Sequence, residues 1–178
     1  LIFDEIQTCY GRLGTLFGFE TYDVIPDILC IAKGMGGGMP IGAFISSLAM
    51  MNLLTFEPKF GHITTFGGHP INCAASLACL EYLLSSDIMQ KVDEKEQLFR
   101  THLKHPKIKE IRGKGLMLAI EFNDEELAQK IVEKSLENEL ILFYFLFTKT
   151  AIRITPPLTI KEEEIVEGCI IIKGILDA

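Results

Sequence analysis

Long apolar runs are missing from this chain: no stretch approaches the roughly 20 residues that a membrane-crossing helix requires. A helical membrane span is therefore excluded as an expectation. Positive charge is also short. Lys and Arg number 17 against 24 Asp and Glu, the net charge is -7, and no basic stripe is present, so a nucleic-acid partner has no support. Cysteines are few and odd in number, five, at positions 9, 30, 73, 79 and 169, without C-x-x-C spacing. Neither a disulfide framework nor a zinc or other metal site is indicated, and the five read as small core residues of a reduced, cytoplasmic compartment. Low-complexity tracts and internal repeats are absent. So are an initiator methionine, a signal peptide and a polar lead-in. The chain opens on Leu1-Ile2-Phe3-Asp4, which reads as the end of a buried strand, and it is expected to be a piece of a longer protein.

What is present is enough for a substantial core. The 178 residues are 48% hydrophobic, sufficient for one domain or two small ones. The stretch that organises the rest is Ile28-Leu29-Cys30-Ile31-Ala32-Lys33-Gly34-Met35-Gly36-Gly37-Gly38-Met39-Pro40-Ile41-Gly42. An apolar run of strand length ends on one lysine, and the chain then passes through glycines and a proline before turning apolar again. A lysine between a buried strand and a glycine-rich bend is expected to be desolvated, which frees its amine as a nucleophile or base. Glycines remove side-chain bulk and let backbone approach a ligand. The plainer alternative is a surface lysine at a strand end. A dinucleotide fingerprint fails here: Gly34-x-Gly36 is followed by Met39 where the third glycine belongs, and Pro40 and a strand-like run stand where a helix should start.

In chain order, Leu1 to Phe3 reads as a strand, a short helix follows near Phe17 to Tyr22, and Pro26-Asp27 opens the strand that delivers Lys33. This strand, crossover, strand unit places Asp4 and Lys33 at the carboxyl ends of their strands, where ligands of parallel α/β sheets bind. Ile41 to Ser47 reads as a strand and Leu48 to Leu54 as a short helix. A polar loop from Phe60 to Pro70 leads into a long helix, apolar around most of its circumference and expected to be buried. Asp87 to about His105 reads as an amphipathic helix. Beyond it the spacing predicts a hairpin from Ile108 to Phe122, a helix over Asp124 to Asn138 capped by Asp124, strands at Ile141 to Thr148 and Ala151 to Thr155, and a final helix capped within Thr159-Ile160-Lys161-Glu162. His62, His102 and His105 read as surface or loop residues.

Four strings occur in order: Asp4-Glu5-Ile6-Gln7; Ala32-Lys33-Gly34 followed by Gly36-Gly37-Gly38; Thr64-Thr65-Phe66-Gly67-Gly68-His69-Pro70; and Ile152-Arg153-Ile154-Thr155-Pro156-Pro157-Leu158. Together they resemble the class III pyridoxal-phosphate-dependent aminotransferases, the group that includes ornithine and acetylornithine aminotransferases, over nearly the whole chain. The resemblance implies an α/β fold. Residues 1–90 would be the C-terminal part of the large PLP-binding domain of a fold type I transferase, with a mainly parallel sheet, and 91–178 a small α+β domain. It implies pyridoxal 5'-phosphate as cofactor and amino transfer between an amino acid or ω-amine and a 2-oxo acid. It also implies a homodimer with a shared active site. A class III enzyme of another reaction type, decarboxylase or aminomutase, or a catalytically silent fragment, are the alternatives.

The resemblance also assigns residues. Lys33 matches the lysine that forms a Schiff base with the cofactor and moves the substrate proton, and Asp4 the carboxylate that pairs with the pyridine nitrogen. Gln7 matches the residue that hydrogen-bonds the phenolic oxygen. Thr65 matches the threonine that reaches the phosphate of the neighbouring subunit, with Thr64 as competitor. Arg153 matches the arginine that grips a substrate carboxylate, and the alternative for it is an ion pair with an acidic neighbour. Glu5 belongs to the motif without a chemical role, and His69 stands where many relatives carry asparagine.

Overall fold

The computed structural model describes residues 1–57, 59 and 63–178. Pro58 and the start of the polar loop, Phe60, Gly61 and His62, lie outside the described residues. The chain divides into two compact units, Leu1–Met89 and Gln90–Ala178.

The first unit carries a three-stranded sheet in the order β1 (Ile2–Asp4), β2 (Ile28–Ile31), β3 (Ala43–Ser46). β1 and β2 run parallel, with Asp4 opposite Cys30. The link between them, residues 5–27, is long enough for a crossover and contains the 3-10 helix Gly18–Tyr22. β3 returns antiparallel to β2, with Ile31 opposite Ala43. Residues 32–42 are too few for a crossover helix, so the chain reverses through the glycine run instead. Gly37 makes that reversal possible: its φ is +57°, and a Cβ there would sit 2.8 Å from the Ala75 carbonyl oxygen and 3.1 Å from Cys79 Cβ. Those two contacts belong to the helix that packs on the turn.

α1 (Leu48–Asn52) is short and continues into a 3-10 turn, Leu53–Thr55. α2 (Pro70–Ser85) has proline at its first turn, and His69 accepts the Ile71 N–H through Nδ1 at 3.3 Å as its N-cap. The expectation of a buried α2 is corrected: only Ser76 and Leu83 are buried, while Ile71, Leu77 and Leu84 are more than half exposed. Its apolar circumference is real, but this chain supplies neighbours for one side only.

The second unit is built around an antiparallel sheet in the order β4 (Glu110–Lys114), β5 (Met117–Glu121), β7 (Ala151–Ile154), β6 (Phe143–Tyr144). The β4–β5 hairpin turns at Gly115-Leu116, with Gly115 at φ +59°, and Gly113 within β4, at φ +113°, has no room for a side chain, since a Cβ there would lie 2.2 Å from the Met117 carbonyl oxygen. α3 (Val92–His102), α4 (Glu125–Glu137) and α5 (Glu162–Asp177) complete the unit. Val92, Phe99, Ile120, Ile131, Ile152 and Ile172 are buried in its core. Asp124 caps α4 by accepting the Glu126 N–H at 2.9 Å. Arg100 ties α3 to the hairpin, donating to the Ile111 and Gly113 carbonyls and pairing with Glu96 at 2.7 Å. His105 lies in the loop after α3, as expected, and its Nε2 is 3.1 Å from Asp177 at the end of α5. The strand expected over Ile141 to Thr148 shrinks to Phe143–Tyr144. A continuous apolar run does not mark where pairing stops, and past Tyr144 the chain leaves the sheet, with Leu146 and Phe147 almost fully exposed.

Candidate active site

Parallel pairing of β1 and β2 puts their carboxyl ends side by side. Asp4 is the last residue of β1, and Lys33 opens the 3-10 turn Lys33–Gly36 just after β2. Both are exposed. Asp4 Oδ1 accepts the Ile6 N–H at 3.0 Å, which orients the carboxylate and leaves Oδ2 without a partner among the described residues.

Lys33 adopts a left-handed backbone, φ +47°, a conformation that costs an L-residue on the order of 1 kcal/mol. The surroundings hold it there. The Ala32 carbonyl accepts from Met35 N–H at 3.1 Å, and Gly34 O accepts from Gly37 N–H and from Cys79 Sγ, both at 3.3 Å. Tyr10 backs the turn so closely that a Cβ on Gly34 would be 3.2 Å from Tyr10 Cβ. Tyr10, Asp23 and Glu139 share this backbone region, but of the four Lys33 is the one that directly follows a strand of the parallel pair, and strain at such a place points to function. The expected burial of this amine is corrected: Lys33 is exposed, because the glycines after it supply no side chains to cover it. Its ammonium has no hydrogen bond or ion pair among the described residues.

Gln7 and Thr65 are likewise exposed, with no side-chain partner among the described residues. Thr65 sits on the turn that leads to His69 and α2, and no described contact joins it to Asp4 or Lys33. Arg153 lies on β7 of the second unit, half-buried, and its Nε is buried without an acceptor. The ion pair weighed as its alternative is not formed with any described residue.

Sequence reasoning left Glu5 without a role, and the structure gives it one. The side chain is 2% exposed, and its carboxylate accepts the Gly18 N–H and Phe19 N–H at 2.6 Å and the Thr8 hydroxyl at 2.8 Å. Glu5 thereby ties the segment that carries Gln7 and Tyr10 back onto β1. Only its position beside Asp4 signalled it. His69 was also missed, although a polar residue just before a helix-opening proline is a capping signal.

The thiols differ in reactivity. Burial pushes the Cys9 thiol up to about 11, and burial does the same to Cys169. Both stay protonated in the fold at neutral pH, while Cys73 is exposed. Iodoacetamide at pH 8 is expected to label Cys73 first and to leave Cys9 and Cys169 for the unfolded protein, as read by peptide mass. The raised values make the fold favour the neutral thiol, so stability is unaffected below pH 9 and declines between about 9 and 11.

The family model for class-III aminotransferases matches residues 1–176. The chain belongs to the class-III aminotransferase family. It is 43% identical to acetylornithine aminotransferase of Caldanaerobacter subterraneus subsp. tengcongensis, covering 98% of this chain and 44% of that protein. It is 40% identical to putrescine aminotransferase of Pectobacterium atrosepticum, covering 92% of this chain and 36% of that protein. The chain spans less than half the length of these curated relatives. Among solved structures, ornithine aminotransferase from Toxoplasma gondii superposes with a TM-score of 0.88 at 33% identity, over 99% of this chain and 43% of that one. The fold is thus the α/β fold of these aminotransferases. No helix among the described residues is long and apolar enough to cross a membrane.

Proposed function

We propose that the protein carrying this chain is a pyridoxal-phosphate-dependent aminotransferase that moves an amino group between an amino acid or ω-amine and a 2-oxo acid such as 2-oxoglutarate. Residues 1–90 would close the large cofactor-binding domain, and 91–178 would form the small α+β domain. The observation that carries the reading is Lys33: an unpartnered amine in a left-handed conformation at the end of β2, beside the Asp4 end of β1.

The residues present fit the cofactor. An amine, a carboxylate, an amide and a hydroxyl stand exposed at the family's motif positions, and the open glycine run leaves space, since a Cβ on Gly38 would meet nothing within 4 Å. Pyridoxal phosphate supplies an electron sink for the bonding electrons released at the substrate α-carbon. Lys33 Nζ would hold the cofactor through its amine and, when free, would serve as the base that takes the substrate α-proton. Asp4, already oriented by Ile6 N–H, would offer its second oxygen to the pyridine nitrogen and so favour that nitrogen's protonated form. Gln7 donates to the phenolic oxygen. Thr65 would offer its hydroxyl to the phosphate across a homodimer interface. Arg153 grips a substrate carboxylate.

A soluble cytoplasmic homodimer is part of the proposal, supported by five free thiols and by the apolar side chains that α2 leaves uncovered. The experiment is an assay of the protein with pyridoxal phosphate, an amino donor and 2-oxoglutarate. Glutamate formed in proportion to donor consumed is the expected result. Donor converted equally well without any 2-oxo acid contradicts it and points to decarboxylation or amino migration. The second reading is a catalytically silent chain, for which mixing with pyridoxal phosphate would give no visible absorbance of covalently held cofactor.

A further inference from the structure

Arg153 poses a problem that its own strand neighbours do not solve. A buried guanidinium N–H ordinarily meets an acceptor, yet Nε here has none among the described residues. The strand partner on one side is Ala119, too small to reach it. Glu121, the acid nearest along that strand, is engaged by Arg112 at 3.0 Å and by the Thr150 hydroxyl. Glu164, which lines the same cleft, accepts the Lys161 N–H at 2.7 Å. The charge on Arg153 is therefore not neutralised within the unit.

On the other side stands Phe143, the register partner of Arg153 across the β6–β7 pair. The guanidinium carbon lies 5.5 Å from the centre of the Phe143 ring and 6.0 Å from that of Phe145. We propose that Phe143 and Phe145 are positioning residues that hold the Arg153 guanidinium against their rings and so leave its in-plane N–H donors for a substrate carboxylate. The inference rests on the reading of Arg153 as the carboxylate grip. Aromatic faces attract the flat side of the cation and compete for none of its in-plane donors. An acidic partner in the same place would occupy those donors. The cleft lining is otherwise largely apolar, with Leu142, Ile154 and Ile172, and a low-dielectric surround strengthens the attraction of an arriving carboxylate.

The test uses the intact holoenzyme and 2-oxoglutarate. Phe143 is 52% exposed, so Phe143→Leu removes the ring with little risk to folding. The expected result is a KM for 2-oxoglutarate raised by about 3- to 10-fold with kcat little changed, the size of one or two cation–π contacts. Phe143→Tyr, which keeps the ring, restores the KM. Phe143→Leu adds nothing once Arg153→Gln is present. A raised KM in Arg153→Gln with an unchanged KM in both Phe143→Leu and Phe145→Leu overturns the inference and spares the grip. An unchanged KM in Arg153→Gln itself overturns the grip, and this inference with it.

Discussion

Replacing Lys33 by alanine is expected to lower amino transfer by about 10²- to 10⁴-fold through the loss of its proton transfer alone, and to remove the visible absorbance of covalently held cofactor. Lys33→Arg keeps the positive charge and loses the nucleophile, so it should behave like the alanine variant. A merely electrostatic lysine would give the opposite pattern, with arginine close to wild type. Stability separates a catalytic from a structural effect. The Lys33 ammonium has no partner among the described residues, and its left-handed backbone, φ +47°, is strained, so Lys33→Gly should unfold no more easily than the parent.

The second large effect falls on a residue without a part in the chemistry. Glu5→Ala takes one acceptor group from three donors, Gly18 N–H, Phe19 N–H and the Thr8 hydroxyl, in a site where the carboxylate is 2% exposed. Gly18 N–H is buried and loses its acceptor outright, while Phe19 N–H and the Thr8 hydroxyl are half-buried and partly met by water, so a loss of about 2–4 kcal/mol is expected. Urea unfolding measures it. Glu5→Gln, which keeps one carbonyl oxygen, should lose about half as much. A loss below about 1 kcal/mol for Glu5→Ala would show that water replaces the carboxylate and that the tether is dispensable.

Lys33, Asp4 and the glycine run were legible because their chemistry is local: a strand ends, a charged residue follows, and glycine permits the reversal that Gly37 makes at φ +57°. The hairpin that turns at Gly115-Leu116 and the cap at Asp124 were legible for the same reason. Glu5 was not, because its worth depends on two N–H groups thirteen and fourteen residues away, and no short-range pattern encodes that return. The direction of β3 was hidden in the length of one link. The exposure of Lys33 and α2 was hidden as well, since periodicity reports which faces are apolar and not which neighbours are there to cover them. The truncation of the strand expected over Ile141 to Thr148 to Phe143–Tyr144 followed from an apolar run that carries no alternation.

The measurement that reaches the centre of this account is borohydride reduction of the pyridoxal-phosphate-loaded protein, followed by digestion and peptide mass mapping. The account predicts a single modified peptide with the reduced cofactor fixed to the side chain of Lys33. Modification spread over other lysines, or a Lys33 peptide that stays unmodified while the protein holds cofactor, would contradict it.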